Sequence, residues 1–392
     1  MPIDVAAVRA DTPAVSDLVH FNNCGSSLPP KSVVLACTDY IELEAEIGGY
    51  EAYDREVASL DRVYEAGAQM LGCDPAEIAF TTGAAQGWWR SFDAVPLAAG
   101  DRILISSTEY QANGFAFIQA AQRGVEIEQV PATSTGEIDL EALERMLDER
   151  VKMVSVTQIA MSNGMVQPVA EVGRIVKNSG AYYIVDACQA AGQVQLDVEE
   201  IGCDFLSFTG RKFLRGPRGT GLLYARLSVL DDLVDPSVID GRSAIWTGPS
   251  SYELAPTALR FELGEVSFAA KAGFAVALDY ALRLGLDEIE ARVFELAAEM
   301  RAGLVAVGGV TVHDQGARQS GIVTFAVAGC ESARVTSTLR DHAINTSAIG
   351  VQLSQLDLGQ RAIPAVVRAG VHYFNTSEEV DKLVEVVASV AR

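Results

Sequence analysis

Short apolar runs alternate with amphipathic stretches between residues 75 and 225. Runs rich in Val and Ile are typical of strands, and the longer amphipathic stretches between them are typical of helices. The alternation therefore predicts a doubly wound α/β domain. Consecutive residues of each run are apolar, as expected for a largely parallel sheet that helices cover on both faces. The seven runs are EIAFTT (77–82), RILISS (102–107), VEIEQV (125–130), VKMVSVTQIA (151–160), YYIVDA (182–187), DFLSFT (204–209) and TGLLYA (220–225).

The rest of the pattern predicts three segments: a turn-rich N-terminal segment (1–60) that packs with the small domain, a large domain (61–264) and a small α+β domain (265–392). Residues 230–265 lack clear periodicity and predict a long connecting loop, which in a compact domain is usually functional. In the large domain, Asp139 is expected to cap a helix, and another helix should begin near Pro168 and end before Gly180. The small domain has two long helical patterns, strands at GIVTFAV and AVVRAGVHYF, and a last helix over SEEVDKLVEVVASV.

Composition excludes several classes of function. The 392 residues carry 52 acidic and 30 basic side chains, a formal net charge of −22, so the long-range field repels nucleic acids and anionic membranes. No two of the six cysteines form a C-x-x-C pair, and the chain has only four histidines. This pattern favours reduced thiols over a set of disulfides or a metal cluster. No apolar run reaches the length of a signal peptide core or a membrane span. We therefore expect a soluble cytoplasmic protein that binds no metal, nucleic acid or membrane.

The first candidate for chemistry is Lys212, in the segment SFTGRKFLRGPRGTG that follows a predicted strand. Lys212 lies among Arg211, Arg215 and Arg218, so four cations fall within eight residues of an acidic chain. Such a cluster indicates an anionic ligand, and a phosphate group is the simplest choice.

Two further motifs follow predicted strands. Asp186 ends the strand of VDACQ, with Gln189 three residues later. An acid at the carboxyl end of a parallel strand faces the ligand crevice, and a carboxylate facing a pyridine nitrogen is what pyridoxal phosphate (PLP) needs to act as an electron sink. In FTTGAAQGWW, the residues Gly83, Ala84 and Ala85 can bring backbone N–H groups to a phosphate at a helix N-terminus.

These motifs occur in an order that resembles the class V aminotransferase family, over nearly the whole chain: TGAAQ, STEYQAN, VDACQ, FTGRKFLRGPRGTG, RFELGE and RAGVHYFNT. The resemblance implies the PLP-dependent transferase fold (fold type I), with a mostly parallel seven-stranded sheet and a smaller C-terminal domain. It also implies that Lys212 binds the cofactor covalently, that Asp186 pairs with the pyridinium nitrogen and that Gln189 contacts the ring oxygen. The phosphate would be held by Gly83, Ala84, Ala85, Thr209 and Arg211.

The same resemblance implies a substrate site and a dimer. Arg368 would bind the substrate carboxylate. Asn23 and Trp246 are further candidate substrate contacts, and the position of Trp246 in the long loop leaves open that it packs against a partner subunit instead. Gly264, Glu265 and Ser267 of the GEVS segment would reach the site of the other subunit in a homodimer. The expected substrate is a small amino acid or cysteine conjugate.

Departures from the cysteine desulfurases of this family narrow the activity. Tyr110 stands where desulfurases carry a histidine stacked on the cofactor; it can stack, but it cannot act as an imidazole acid or base. Tyr373 is taken to replace the persulfide cysteine, Cys330 matches neither desulfurase cysteine, and Cys188 is interpreted as a packing residue. The motifs look instead like hercynylcysteine sulfoxide lyases and related C–S lyases.

The sequence therefore predicts a PLP-dependent lyase that eliminates the sulfur group from an S-substituted cysteine or its sulfoxide and yields pyruvate and ammonia. Another PLP reaction stays open as an alternative: transamination, epimerisation as in isopenicillin N epimerase-like proteins, or decarboxylation coupled to oxidative deamination. Desulfurase activity is ranked below these, and an inert scaffold that kept the fold is disfavoured by the intact Lys212 and Asp186.

Overall fold

The N-terminal segment contacts both the large and the small domain. The computed structural model describes residues 2–392. Val19 and His20 pair in parallel with residues 344–345 of the small domain, whereas the backbone N–H of Ser27 donates to the carbonyl of Arg211 in the large domain at 2.8 Å. The segment therefore lies against both domains and not only against the small one. Its elements are α1 (Val5–Ala10), β1 (Val19–His20), α2 (Lys31–Ile47) and α3 (Gly49–Leu71).

A seven-stranded sheet forms the centre of the large domain. Its strands are β2 (Ile78–Thr81), β3 (Arg102–Ile105), β4 (Glu126–Gln129), β5 (Val151–Thr157), β6 (Tyr182–Asp186), β7 (Phe205–Thr209) and β8 (Gly221–Ala225). They lie in the order β2-β8-β7-β6-β5-β3-β4. All neighbours are parallel except β8, which is antiparallel to β7 and β2. Each of the seven predicted strands is present, and the mostly parallel sheet is confirmed.

Helices cover the sheet as the pattern predicts. They are α4 (Ala84–Ala94), α5 (Gln111–Gln122), α6 (Leu140–Met146), α7 (Val169–Val176) and α8 (Val198–Ile201). Asp139 caps α6 by accepting a hydrogen bond from the backbone N–H of Ala142. α7 begins directly after Pro168 and ends before Gly180, whose φ of +80° suits glycine.

The predicted loop over residues 230–265 contains a β-hairpin, which is a correction. β9 (Ala244–Gly248) and β10 (Ser251–Leu254) pair in antiparallel fashion. Their apolar side chains Ile245, Trp246 and Tyr252 are exposed on the described chain. Because neither face of the hairpin is buried in this chain, its residues show no regular alternation of apolar and polar positions.

The small domain is built on a four-stranded antiparallel sheet in the order β11-β12-β15-β14. The elements after the hairpin are α9 (Phe268–Leu284), α10 (Leu286–Val305), β11 (Val310–Val312), β12 (Ile322–Val327), α11 (Ser332–Asp341), β13 (Ile344–Asn345), β14 (Ser347–Gly350), β15 (Ala365–Gly370) and α12 (Ser377–Val390). Phe274 and Leu278 of α9 belong to the core of the large domain, whereas Leu296 and Met300 of α10 belong to the small-domain core. The change of core falls within α10, because Ile289 and Val293 near its start still belong to the core of the large domain.

Candidate active site

The carboxyl ends of β2, β3, β5, β6 and β7 meet at one edge of the large sheet. In open α/β sheets, ligands bind outside this edge. Three residues predicted from the sequence lie at these strand ends: Gly83 after β2, Asp186 at the end of β6 and Lys212 after β7. A further titratable residue, Glu109, follows β3. The topology thus gathers residues that are up to 129 positions apart in the chain.

Asp186 is held in one orientation by donors on both carboxylate oxygens. Its Oδ1 accepts the backbone N–H of Cys188 at 2.9 Å, and its Oδ2 accepts an amide hydrogen of Asn113 at 3.2 Å. Burial raises the pKa of Asp186, while these donors and the nearby Lys212 ammonium oppose the rise. The side chain is therefore a buried, oriented acceptor, which a bound cation would keep ionised.

Glu109 is a buried carboxyl group to which the sequence analysis gave no role. It accepts hydrogen bonds from the hydroxyls of Ser106 (2.9 Å) and Ser155 (3.3 Å) and from the backbone N–H of Thr157 (3.1 Å). Asn113 donates one amide hydrogen to Glu109 at 3.0 Å and the other to Asp186. Burial raises the pKa of Glu109 to about 7, and the nearby Asp186 charge adds to the rise. The sequence did contain a signal for this residue, because Glu109 is an acid shortly after the buried strand β3 (Arg102–Ile105).

Lys212 is a buried amine in contact with a thiol. Its Nζ lies 3.0 Å from Sγ of Cys188, and the residue is 9% exposed. Burial raises the pKa of the Cys188 thiol, and the neighbouring lysine opposes this rise. Cys188 therefore contacts the reactive amine and is more than the small packing residue that the sequence suggested.

Gly83, Ala84, Ala85 and Thr209 form a small cradle beside Lys212. Gly83 precedes α4 with a φ of +153°, and a methyl group on it would come within 3.6 Å of Thr209 Oγ1. Ala84 and Ala85 are the first residues of α4, where backbone N–H groups have no partner inside the helix and attract anions. Gly83, the N-terminus of α4 and the Thr209 hydroxyl lie close together, and this arrangement suits the binding of a phosphate group.

The predicted cationic cluster is dispersed in the structure. Arg215 is 1% exposed. Its guanidinium donates to the Leu28 carbonyl at 2.8 Å and to the Tyr373 hydroxyl at 2.9 Å, and it lies over the Phe374 ring. Arg211 contacts the carbonyl of Gly25. Arg215 thus joins the N-terminal segment to the small domain, which corrects its assignment to an anion site.

Residues 21–27 line the crevice between the large and small domains. Gln189 donates to the carbonyl of Cys24 at 3.1 Å, and its Oε1 is buried without a protein partner among the described residues. Asn23 donates to the carbonyls of His20 and Gly370 and accepts from Ser27. The Asn23 amide is fully used inside the protein, so the geometry argues against the predicted substrate contact.

Arg368 is a buried guanidinium with few partners. It lies on β15, is 8% exposed, and donates from Nε to Oγ of Ser347 at 3.3 Å. Within residues 2–392 no acidic side chain pairs with it. Two residues later, Gly370 meets Asn22, so this part of β15 adjoins the segment that contacts Gln189. The guanidinium is therefore available for a carboxylate near the crevice.

Tyr110 precedes α5 and is 37% exposed. The segment 351–359 packs beside it, and Gln111 donates to the carbonyl of Gln352. Tyr373, by contrast, is 2% exposed and accepts a hydrogen bond from Arg215. Tyr373 therefore cannot occupy the place of a reactive group at the site mouth, which corrects the comparison drawn for it from the sequence.

The residues predicted to serve a partner subunit lie apart from these groups. Gly264, Glu265 and Ser267 are on the surface of the described chain, and Ser267 caps α9 through the backbone N–H of Ala270. Trp246 is 79% exposed on the hairpin, opposite Tyr252. No contact within residues 2–392 brings Trp246 to Lys212 or Asp186.

Two classes of site are not seen in the part of the chain that the structure describes. No group of His, Cys, Asp and Glu side chains between residues 2 and 392 has the arrangement of a metal site. None of the described helices is both long and apolar enough to span a membrane.

Comparison with known proteins identifies relatives in sequence and in fold. The chain is 30% identical over 98% of its length to a probable cysteine desulfurase of Methanothermobacter thermautotrophicus, of which it covers 97%. A cysteine desulfurase structure from Thermococcus onnurineus has a TM-score of 0.92 and 27% identity, with 100% of this chain and 98% of that chain covered. The cystine C–S lyase C-DES, in complex with cysteine persulfide, shares the fold at a TM-score of 0.87 and 23% identity, over 96% and 99% of the two chains.

The first two of these proteins are named as cysteine desulfurases, so the predicted similarity to hercynylcysteine sulfoxide lyases is not confirmed. The PLP-dependent fold type I is confirmed. The site also fits the cofactor, because the Gly83 cradle suits its phosphate and the unpartnered Gln189 Oε1 can accept from its ring hydroxyl. The model of the aminotransferase class-V family matches residues 19–383, and the chain belongs to this family of PLP-dependent enzymes.

Proposed function

We propose that the enzyme cleaves the C–S bond of an S-substituted cysteine, or of its sulfoxide, by β-elimination. Water completes the reaction, so that one conjugate gives one thiol or sulfenate, one pyruvate and one ammonia. When bound, PLP supplies an electron sink for the electron pair left at Cα. The residues of this chain then have to bind the substrate, move one proton and exclude competing reactions.

Lys212 is the proposed base for the Cα proton. Its buried position supports this role, because burial excludes bulk water from the amine that would take the Cα proton. The contact with Cys188 gives the lysine amine a defined resting partner at 3.0 Å. Asp186, oriented by Asn113 and by the Cys188 backbone, would hold the pyridine nitrogen.

Arg368 is the proposed carboxylate anchor. A buried guanidinium with no acidic partner in the described chain carries a desolvation cost that an α-carboxylate would offset through charge-assisted hydrogen bonds. Tyr110, exposed beside Glu109, would cover the face of the cofactor. Gly83, Ala84, Ala85 and Thr209 would hold the phosphate, with Arg211 as an adjoining charge.

The distribution of thiols is the observation that carries the proposal. A desulfurase needs a thiolate to take the sulfur, yet two of the six cysteines are buried, four are only partly exposed, and burial raises the pKa of the Cys188 thiol that contacts Lys212. Cys24 and Cys203 are fully buried, and Cys330 lies beyond β12 against the small-domain core. The segment 351–359, which packs beside Tyr110, contains no cysteine. Elimination requires no protein thiolate.

One experiment tests the proposal directly. PLP-loaded enzyme is incubated with S-methylcysteine, with its sulfoxide and with free cysteine, and pyruvate, ammonia, thiol and alanine are measured together. We expect pyruvate and ammonia in equal amounts from the conjugates. Alanine as the main product would contradict the proposal, and a keto acid with pyridoxamine phosphate would indicate transamination.

Cysteine desulfurase activity is the second candidate, and two observations favour it. The relatives named above carry this activity in their names. In addition, the sulfur of Cys188 contacts Lys212, so a thiol is present at the site although burial raises its pKa. Epimerisation and decarboxylation-coupled deamination are alternative reactions of the same scaffold. A D-amino acid product would indicate the first, and released carbon dioxide would indicate the second.

We also infer that the active form is a homodimer. The exposed apolar side chains of the hairpin, including Ile245 and Trp246, would be covered by a second copy. A buried turn (Ala258–Phe261) follows the hairpin. Gly264, Glu265 and Ser267 then return to the surface and would reach the partner's site. Light scattering at the assay concentration should give twice the mass of the chain, and a fully active monomer would contradict the inference.

A further inference from the structure

An apolar groove opens beside Tyr110, outside the set of residues assigned to the cofactor. Its cavity volume is about 280 Å³. One wall is α5, with Phe115 and Ile118; the other is the segment 351–359, with Leu353 and Leu356. Ile127 of β4 contributes to its floor. Phe115 and Ile118 are 52% and 57% exposed, which is unusual for two large apolar side chains on one helix face.

The groove is continuous with the candidate active site. Tyr110 and Glu109 line its inner end, and Asn113 joins Glu109 to Asp186 by two hydrogen bonds. Because Tyr110 would cover the face of the cofactor, a group on the substrate sulfur would meet the groove once it passes Tyr110. The hydrogen bond from Gln111 to the Gln352 carbonyl ties the two walls together and limits the width of the opening.

The lining defines the chemistry of the occupant. Glu109 is the one charged residue among the lining residues, and its carboxyl group is already surrounded by internal donors. A charged substituent would lose its hydration without gaining a partner, whereas an apolar one would gain from burial. The volume is at the low end of small-molecule pockets, so the groove suits one ring or a short alkyl chain and is too small for a helix.

We propose that this groove binds an apolar substituent on the substrate sulfur, so that the preferred substrates are cysteines S-linked to an aromatic or alkyl group. The inference rests on the proposed function, because it assigns a pocket to the group that leaves with sulfur. It makes Phe115, Ile118 and Leu353 specificity-determining residues that contact the leaving group.

Equilibrium binding tests the groove without requiring turnover. S-benzyl-α-methylcysteine and S-methyl-α-methylcysteine have no Cα hydrogen and cannot be eliminated. Calorimetry on PLP-loaded enzyme should show that the benzyl ligand binds about tenfold or more tightly, because its ring is buried in the groove. Ile118→Asn and Leu353→Asn, one on each wall, should reduce this ratio severalfold. Val305→Asn is the matched control, since Val305 is an apolar helical residue that is 66% exposed on α10.

The outcomes separate the two proposals. A binding ratio near one in the parent enzyme, or a ratio that both groove variants leave unchanged, would overturn the groove assignment. Pyruvate release from S-methylcysteine is measured in parallel and tests the elimination reaction by itself. If the ratio holds while no conjugate yields pyruvate, the groove assignment stands and the proposed function falls. Thermal unfolding of each variant shows that the parent fold is retained.

Discussion

The two sides of the candidate site differ in how completely their polar groups are satisfied. On the large-domain side, Asp186 and Glu109 have donors on every carboxylate oxygen. On the small-domain side, Arg368 has one hydrogen bond, and the segment 351–359 contributes the apolar side chains of Leu353 and Leu356 to the groove beside Tyr110. Satisfied, buried groups hold a fixed geometry, which suits a cofactor that is always the same. Groups without partners are available for a ligand, which suits the variable substrate.

The comparison also explains why family membership does not decide the reaction. The large-domain side contains the residues that we assign to the cofactor, and family membership implies PLP chemistry without fixing its outcome. The choice between elimination and desulfuration depends on which thiols and apolar groups surround the substrate. The following predictions test each side in turn, beginning with the largest effect.

Replacement of the base on the large-domain side should have the largest effect. Lys212→Ala removes the proposed proton acceptor, and we expect turnover to fall by about a thousandfold or more. The visible absorption of the bound cofactor should change as well, because the covalent link to Lys212 is lost. Lys177→Ala, at an exposed lysine after α7, is the control and should keep parental activity. Parental turnover in Lys212→Ala would show that the lysine assignment is wrong.

Replacement of the carboxylate anchor on the small-domain side should affect binding more than chemistry. Arg368→Gln removes the charge that faces the substrate carboxylate, so KM should rise by about 10- to 100-fold, the value of one or two charge-assisted hydrogen bonds. The affinity for PLP should stay near that of the parent. Steady-state kinetics and a PLP titration check the two expectations. Unchanged KM would remove Arg368 from the substrate site.

The buried Glu109 should make stability depend on pH. Its pKa is raised from 4.5 to about 7 in the folded protein, so folding takes up a proton between these values. The stabilisation is complete below pH 4.5 and is lost as the pH rises through 7. Glu109→Gln stays neutral, so its free energy of unfolding relative to the parent should rise by about 2 kcal/mol from pH 5.5 to 8. Urea unfolding of the PLP-free proteins at both pH values measures this difference.

The control for Glu109 is Glu200→Gln, at an exposed glutamate on α8. Its stability difference from the parent should not change over the same pH range. If the Glu109→Gln difference is equally flat, the carboxyl group is ionised throughout and the shift assigned to burial is wrong.

Removal of thiols should have the smallest effect. If sulfur leaves by elimination, a variant with Cys188→Ala and Cys330→Ala should keep more than about half of the parental kcat, since no nucleophilic thiolate is used. Pyruvate and ammonia should remain the products. Single variants locate any loss that does occur: loss in Cys188→Ala alone would indicate a role for its contact with Lys212. Alanine formation that disappears with either thiol would establish desulfurase chemistry instead.

Sequence reasoning was most successful where local pattern and burial agree. The strands around Val154, Ile184 and Leu206 are buried on both faces, and their continuous apolar runs predicted them correctly. The Asp139 cap and the C-terminal helix were predicted for the same reason. The hairpin over residues 244–254 was missed because its apolar residues face outward, so they do not follow the pattern that a buried face imposes.

The sequence by itself determined the doubly wound sheet, the family and the identity of Lys212 and Asp186 as the residues after two neighbouring strands. It could not show that Arg215 is turned into the domain junction, that Asn23 is fully hydrogen-bonded, or that Glu109 and Asp186 share Asn113. The decisive contacts are Asn113 with Asp186, Arg215 with Tyr373 and Asn23 with Gly370, which join residues 73 to 347 positions apart. Local propensity and spacing carry no information on such pairs, and only the packing of the sheet edge against the N-terminal segment and the small domain decides which polar groups are used and which remain free.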